Sequence, residues 1–189
     1  MTTDARYERS KAAVFDAVRS VLVADGIAGL TADRLAEESG VSRSTIYRNW
    51  PDLAALTCEV FDELMHRDSQ EFEGEPDAAL REYLADYARR LNDETYCAVL
   101  IALIELSMRD DAFADVHRRS FSQTRSRAAG IIRRGQSSGI FRADLDVKQG
   151  VEDLVAPFLY RRLVTQAQIT SRQVEHLHQR LIGAWSPPS

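Results

Sequence analysis

Residues Ile27–Leu56 read IAGLTADRLAEESGVSRSTIYRNWPDLAAL, and this stretch decides the fold. Apolar residues recur at helical spacing on either side of Gly40. Thr31 and Ser42 each stand just before one of these stretches, where a hydroxyl can accept a hydrogen bond from a free backbone N–H. Glycine permits the tight chain reversal between the two stretches, because it adopts a positive φ at little cost. The segment therefore predicts two short helices joined by a tight turn.

This arrangement is the helix-turn-helix pattern, in which Leu35, Val41 and Ile46 pack the two helices together. The second helix then protrudes, so that its N-terminal half can enter the major groove of DNA. Arg43 and Arg48 lie on its outward face and can bind guanine or phosphate through two N–H groups. Hydroxyl groups on the same helix can reach phosphates or base edges, and they belong to Ser42, Ser44, Thr45 and Tyr47.

The rest of the chain continues with helical spacing, and no Asn-Gly or Asp-Gly turn lies between alternating strands. Asp52 can cap a long helix that runs from Leu53 to about Gln70. The stretch from Val99 to Leu106 is apolar all round, which favours a helix buried on most sides. Pro157 lies inside a later helix and predicts a kink there. The sequence thus predicts an all-α fold of about nine helices.

Composition sets the broad class of protein. The 189 residues include 44% hydrophobic and 28% charged residues, which excludes a disordered or collagen-like chain. The formal net charge of −5 falls entirely on residues 51–189, since residues 1–50 carry equal numbers of acids and bases. No secretory signal and no bilayer-spanning apolar run occurs, and two cysteines are too few for a disulfide scaffold. We therefore expect a cytoplasmic protein that does not enter a membrane.

Several positions in the opening stretch match a known pattern in one order. They are Thr31, Leu35-Ala36, Ser39-Gly40-Val41-Ser42 and Thr45-Ile46-Tyr47, with Trp50 where phenylalanine is usual. In these positions the segment resembles the DNA-binding domain of the TetR family of bacterial transcriptional regulators. The resemblance implies an N-terminal three-helix helix-turn-helix domain, residues 1–52. It also implies a larger helical ligand-binding and dimerisation domain, residues 53–189.

The resemblance implies a role for each matching position. Phosphates would be contacted by Thr31, Ser42, Thr45 and Tyr47, and the bases would be faced by Arg43, Ser44 and Arg48. One position departs from the family, because Leu53 stands where a phosphate-contacting lysine is common. The N–H groups at that helix start can still bind phosphate. We therefore expect weaker nonspecific affinity for DNA and no loss of binding.

The resemblance further implies a homodimer on a pseudo-palindromic operator, acting as a repressor that a small ligand releases. The high apolar content favours an apolar or aromatic ligand. The expected lining residues, which are equally typical of a plain core, are Phe61, Met65, Tyr83, Tyr87, Tyr96, Leu100, Leu103, Met108, Phe121 and Phe158. The last two apolar helices would pack against those of a second copy through Leu154, Phe158, Arg162, Val174, Leu177 and Leu181.

Other classes of function find less support. No Ser-His-Asp order, glycine-rich phosphate loop or metal-ligand cluster appears, so we expect no enzyme activity, no metal and no cofactor. His176 and His178 are two residues apart and therefore point to different sides of a helix. The alternative is a helical module that binds a protein partner without sequence-specific DNA binding. Salt dependence separates the two, because DNA binding weakens steeply as counterion release loses its driving force.

Overall fold

The computed structural model describes residues 2–66 and 71–188, and it describes side chains for residues 5–64 and 71–188. Within these ranges the chain forms nine α-helices and no strand, which confirms the predicted all-α fold. The helices are α1 (Thr2–Asp25), α2 (Ala32–Ser39), α3 (Arg43–Asn49), α4 (Leu53–His66), α5 (Pro76–Asn92), α6 (Glu94–Ser107), α7 (Asp111–Ser137), α8 (Val147–Leu159) and α9 (Ser171–Trp185).

The chain divides into two compact units. The first comprises Met1–Asp68 and Glu94–Ser120, and the second comprises Ser69–Asp93 and Phe121–Ser189. The helix-turn-helix thus packs together with α6, and the predicted domain boundary after residue 52 stays a prediction.

One hydrophobic core holds the first unit together. Phe15, Leu35, Ile46, Leu56 and Leu103 are almost fully buried in it and come from five different helices. Burying a side chain of this size stabilises a fold by roughly 1.5–3 kcal/mol. The apolar residues of α1, α4 and α6 therefore fix the two short helices α2 and α3, which are too short to be stable alone.

The second unit is built around α5, which packs against both α8 and α9. Leu84, Leu154 and Leu177 are buried in it. At the C-terminal end of α9, the ring of Trp185 packs edge-to-face against the ring of Phe141, with centroids 5.5 Å apart. Asp146 caps α8 by accepting hydrogen bonds from two backbone N–H groups, as its sequence position predicts.

One local feature differs from the predictions and another agrees with them. Helix α8 contains Pro157 and passes directly into a π-helical turn, Tyr160–Val164, which the sequence did not indicate. Helix α6 is buried or half-buried along most of its length, as its apolar sequence predicts, and from Thr95 to Ser107 only Ile101 is exposed, at 49%. No described helix is long and apolar enough to cross a membrane.

Candidate functional site

The turn between α2 and α3 has the predicted geometry. Thr31 caps α2, its hydroxyl accepting from the backbone N–H of Arg34 at 3.2 Å. Gly40 ends α2 with a φ of 67°, in the left-handed region that favours glycine. The hydroxyl of Ser39 donates to the carbonyl of Leu35 and accepts from the N–H of Val41. These contacts satisfy backbone groups that would otherwise lack partners at the helix end.

Helix α3, the second helix of the helix-turn-helix, begins with a cluster of hydroxyl groups. Ser42 caps the helix, its oxygen accepting from the N–H of Thr45 at 3.3 Å. The same oxygen lies 3.1 Å from the hydroxyl of Ser44 and 2.9 Å from that of Thr45. Ile46 is 1% exposed and anchors the opposite face, while Tyr47 is 45% exposed. The helix therefore presents a hydroxyl-rich polar end to solvent.

The two arginines of α3 differ in their surroundings. Arg43 is exposed and forms an ion pair of 2.7 Å with Asp33 on α2. Arg48 is also exposed, and no acid in the described part of the chain pairs with it. Sequence reasoning missed Asp33, which lies ten residues before Arg43 and reaches it only because the turn brings α2 and α3 together. The carboxylate of Asp33 accepts a hydrogen bond from Nη1 of Arg43, a donor that would otherwise be available to DNA.

Behind α3, a partly buried polar contact holds the residue that follows the helix. Trp50 is 3% exposed, and its indole N–H donates to Oε2 of Glu59 on α4 at 2.6 Å. Lys11 on α1 donates to the other oxygen, Oε1, at 2.6 Å. Burial alone would raise the pKa of Glu59, but the hydrogen bonds from Lys11 and Trp50 outweigh it and lower the pKa. Sequence reasoning identified Trp50 only as an unusual aromatic residue and did not identify Glu59.

The start of α4 is capped by its own chain, as the position of Asp52 predicts. Leu53 is half-buried and packs against the core of the first unit. Asp52 caps the helix, accepting from the backbone N–H of Ala55 at 2.8 Å. The Asp52 carboxylate therefore engages one N–H group of this helix start, and phosphate binding by the others stays a prediction.

The predicted ligand residues fall into both units. In the second unit the rings of Phe72, Tyr83, Tyr87 and Phe158 form a continuous buried column, with successive centroids 5.3, 6.2 and 6.4 Å apart. The hydroxyl of Tyr83 donates to the carbonyl of Thr124 at 3.4 Å. Phe121, also in this unit, is partly buried.

The remaining ligand candidates have other surroundings. In the first unit, Phe61 and Leu103 belong to the packed core, Leu100 is buried and Tyr96 is partly buried. The side chain of Met65 lies outside the described residues. Met108 is 82% exposed because it lies in the turn after α6, so its expected place in a core or pocket wall is wrong.

The predicted subunit-contact residues are mostly covered by their own unit. Leu154, Phe158, Leu177 and Leu181 are each at most 6% exposed, so their side chains have no free face for a second copy. Val174 is half-buried, and Arg162 donates to the carbonyl of Leu91 at 2.8 Å. The apolar side chains exposed in this region are instead Tyr160 and Val164, at 62% and 63%. Dimerisation itself stays a prediction.

Neither histidine of α9 joins a metal cluster. His176 is exposed and His178 is 3% exposed, as their spacing predicts. The Nε2 of His178 lies 3.2 Å from the carbonyl of Asp77 and 3.1 Å from its carboxylate. Within the described side chains, no group of three His, Cys, Asp or Glu is placed to hold a metal ion.

Comparison with known families accounts for both parts of the chain. Residues 14–60 match the model of the bacterial regulatory proteins of the tetR family. Residues 73–181 match the model of the tetracyclin repressor-like C-terminal domain. The chain belongs to the TetR family of transcriptional regulators. As a TetR-family chain it carries a DNA-binding helix-turn-helix and a regulatory C-terminal domain.

Individual relatives agree with this assignment. The chain is 28% identical to YdeS, an uncharacterized HTH-type transcriptional regulator of Bacillus subtilis (strain 168). The 178 aligned residues cover 91% of this chain and 87% of YdeS. The TetR-family regulator SCO0332 has a similar fold, with a TM-score of 0.66 at 29% identity over 94% of this chain and 99% of that one. A TetR regulator from Agrobacterium tumefaciens shares the fold with a TM-score of 0.72 at 20% identity over 94% of each chain.

Proposed function

We propose that this TetR-family chain is a cytoplasmic repressor that binds a pseudo-palindromic operator as a homodimer and is released by a small apolar or aromatic ligand. The observation that carries the proposal is the two-faced recognition helix. Ile46 anchors one face of α3 in the core, while hydroxyls and arginines occupy the exposed face. An exposed polar helix held on a rigid apolar base can enter a major groove without rearranging its own core.

Each predicted contact residue has a role that suits its surroundings. Thr31 and Ser42 cap α2 and α3, and their hydroxyl hydrogens remain able to donate to phosphate oxygens. Thr45 and Tyr47 supply further phosphate contacts, while Arg43, Ser44 and Arg48 face the bases. Arg43 must exchange the carboxylate of Asp33 for DNA.

We further propose that residues 1–52 read DNA and residues 53–189 bind ligand and form the dimer. The aromatic column of Phe72, Tyr83, Tyr87 and Phe158 supports an apolar or aromatic ligand, because offset and edge-on ring contacts continue readily onto another ring. In the proposed homodimer, the spacing of the two α3 helices must match successive major grooves. A ligand that prefers a state with a different spacing lowers DNA affinity, at most by the ratio of its affinities for the two states. DNA must then lower ligand affinity by the same factor.

The test is selection of bound duplexes from a random-sequence DNA library with the purified full chain at moderate salt. We expect enrichment of a two-fold symmetric site, with binding that weakens steeply as salt is raised. Arg48→Ala should relax the preference at one base pair per half-site or weaken binding to all sequences. Arg118→Ala removes another exposed arginine, from α7, and should change neither. Failure to enrich any sequence would favour the protein-interaction module instead.

A further inference from the structure

We propose that Glu59 is a positioning residue for DNA recognition, setting the orientation of α3 through Trp50. This role rests on the proposed DNA binding and is not itself a DNA contact. The carboxylate joins three elements of the first unit: α1 through Lys11, α4 on which it lies, and the residue that ends α3.

Trp50 transmits this position to the recognition helix because it is fixed to the end of that helix. Its backbone N–H donates to the carbonyl of Ile46 at 2.9 Å, which closes the last turn of α3. Its ring packs against Phe15 of α1, with centroids 6.0 Å apart. With both its backbone and its ring held, any displacement of the Trp50 indole moves the end of α3 as well.

Both oxygens of Glu59 are engaged by strong donors. The indole N–H reaches Oε2 and the Lys11 ammonium reaches Oε1, each at 2.6 Å. Hydrogen bonds to an ionised group are shorter and about twice as strong as neutral ones. Lys11 is also held over the ring of Phe15, 5.0 Å from its centroid. The phenylalanine common at this position in the family would fill similar space without donating to Glu59, so this link depends on the tryptophan.

A neighbouring contact provides a matched control. One turn further along α4, Glu63 accepts from Arg19 of α1 at 2.7 Å. Glu59 and Glu63 therefore each join α4 to α1 by an ion pair, but only Glu59 also accepts from the residue after α3. A difference between variants at these two positions reports on the contact to Trp50 and not on the pairing of α1 with α4.

The experiment compares E59Q, W50F, the double variant and E63Q. Each is titrated by fluorescence anisotropy against the duplex that the wild-type chain enriches and against a random-sequence duplex, after the active fraction and the melting temperature are measured. We expect E59Q and W50F each to weaken binding of the enriched duplex by about tenfold, as for loss of one charge-assisted hydrogen bond. The double variant should be little weaker than either single one. E63Q should stay within about twofold of wild type.

The ratio of specific to nonspecific affinity separates positioning from a general loss of folded protein. A structural defect lowers the active fraction and weakens binding to both duplexes alike. A change in the tilt of α3 weakens base contacts more than phosphate contacts and therefore lowers the affinity for the enriched duplex more. W50F keeps an aromatic ring in the core, so it remains informative if E59Q folds poorly. Equal effects of E59Q and E63Q, or independent effects of E59Q and W50F, would overturn the role of Glu59 while leaving the proposed function intact. If the wild-type chain enriches no duplex, both proposals fail.

Discussion

The ion pair between Arg43 and Asp33 places an acid where DNA would approach. Both side chains are mainly exposed, and such pairs stabilise a fold by only ~0.2–1 kcal/mol. Asp33→Asn should therefore leave stability almost unchanged and strengthen binding to all duplexes by about two- to fivefold, because it frees Arg43 and removes a negative charge near phosphates. Affinity titrations over a range of salt concentrations measure this change.

Glu37→Gln provides the control for Asp33, since both acids lie exposed on α2 and both substitutions remove one negative charge. Glu37 contacts Arg34 and not Arg43, so its substitution should give the smaller gain. If Asp33→Asn instead weakens binding at one base pair, Asp33 orients Arg43 for readout and does not compete with DNA.

Cys58 on α4 illustrates how burial changes the chemistry of one side chain. Burial, with a smaller contribution from the charge of Asp110, raises the pKa of the Cys58 thiol to about 11. The thiolate is the reactive form, so at pH 8 alkylation of Cys58 should be at least ~100-fold slower than that of a small free thiol. In a Cys97→Ser variant, where Cys58 is the remaining thiol, the rate should rise steadily with pH toward 11. A rate that levels off near pH 8–9 would contradict this reasoning.

Helix α7 contains two glycines that should respond oppositely to the same substitution. A Cβ on Gly135 would overlap the ring of Phe141, whereas one on Gly130 would have Arg134 Nη1, at 3.8 Å, as its nearest neighbour. Gly135→Ala should therefore destabilise the chain by roughly 1–3 kcal/mol through overpacking. Gly130→Ala should stabilise it by about 0.5–1 kcal/mol, because alanine loses less backbone entropy in a helix. Urea unfolding midpoints of the two variants test whether the free energy of unfolding falls in one and rises in the other. If Gly135→Ala is as stable as the wild-type chain, Phe141 can move aside.

The elements that could be predicted from sequence are those set by local contacts. Thr31, Ser42 and Asp146 cap helices within three residues of themselves, and Gly40 meets a local need for positive φ. The contacts of Asp33 and Glu59 could not be predicted, because they join helices whose relative placement depends on the whole core. Met108 was misplaced because an apolar side chain was expected to be covered, whereas this one lies in the turn after α6 and is 82% exposed.

At the scale of the whole molecule, the question is which surface a second copy would cover. The leucine and phenylalanine side chains expected at this surface are buried inside their own unit. Tyr160 and Val164 of the π-helical turn are exposed. Stable interfaces bury about 1,200–2,000 Å² and place exposed apolar side chains at their centre. We therefore expect Tyr160 and Val164 to lie in the subunit contact of the proposed homodimer.

A double variant, Tyr160→Glu and Val164→Glu, should convert the dimer to a monomer. Two-fold symmetry doubles the two new charges to four across one contact, where each would be buried without a partner. Its affinity for the symmetric duplex should fall by about 100-fold or more, because a monomer engages one half-site at a time. Size-exclusion chromatography with light scattering measures the mass. Met108→Glu is the control, since it charges an even more exposed apolar residue of the first unit and should leave the mass unchanged. A double variant that remains dimeric would place the subunit contact on another surface of the chain.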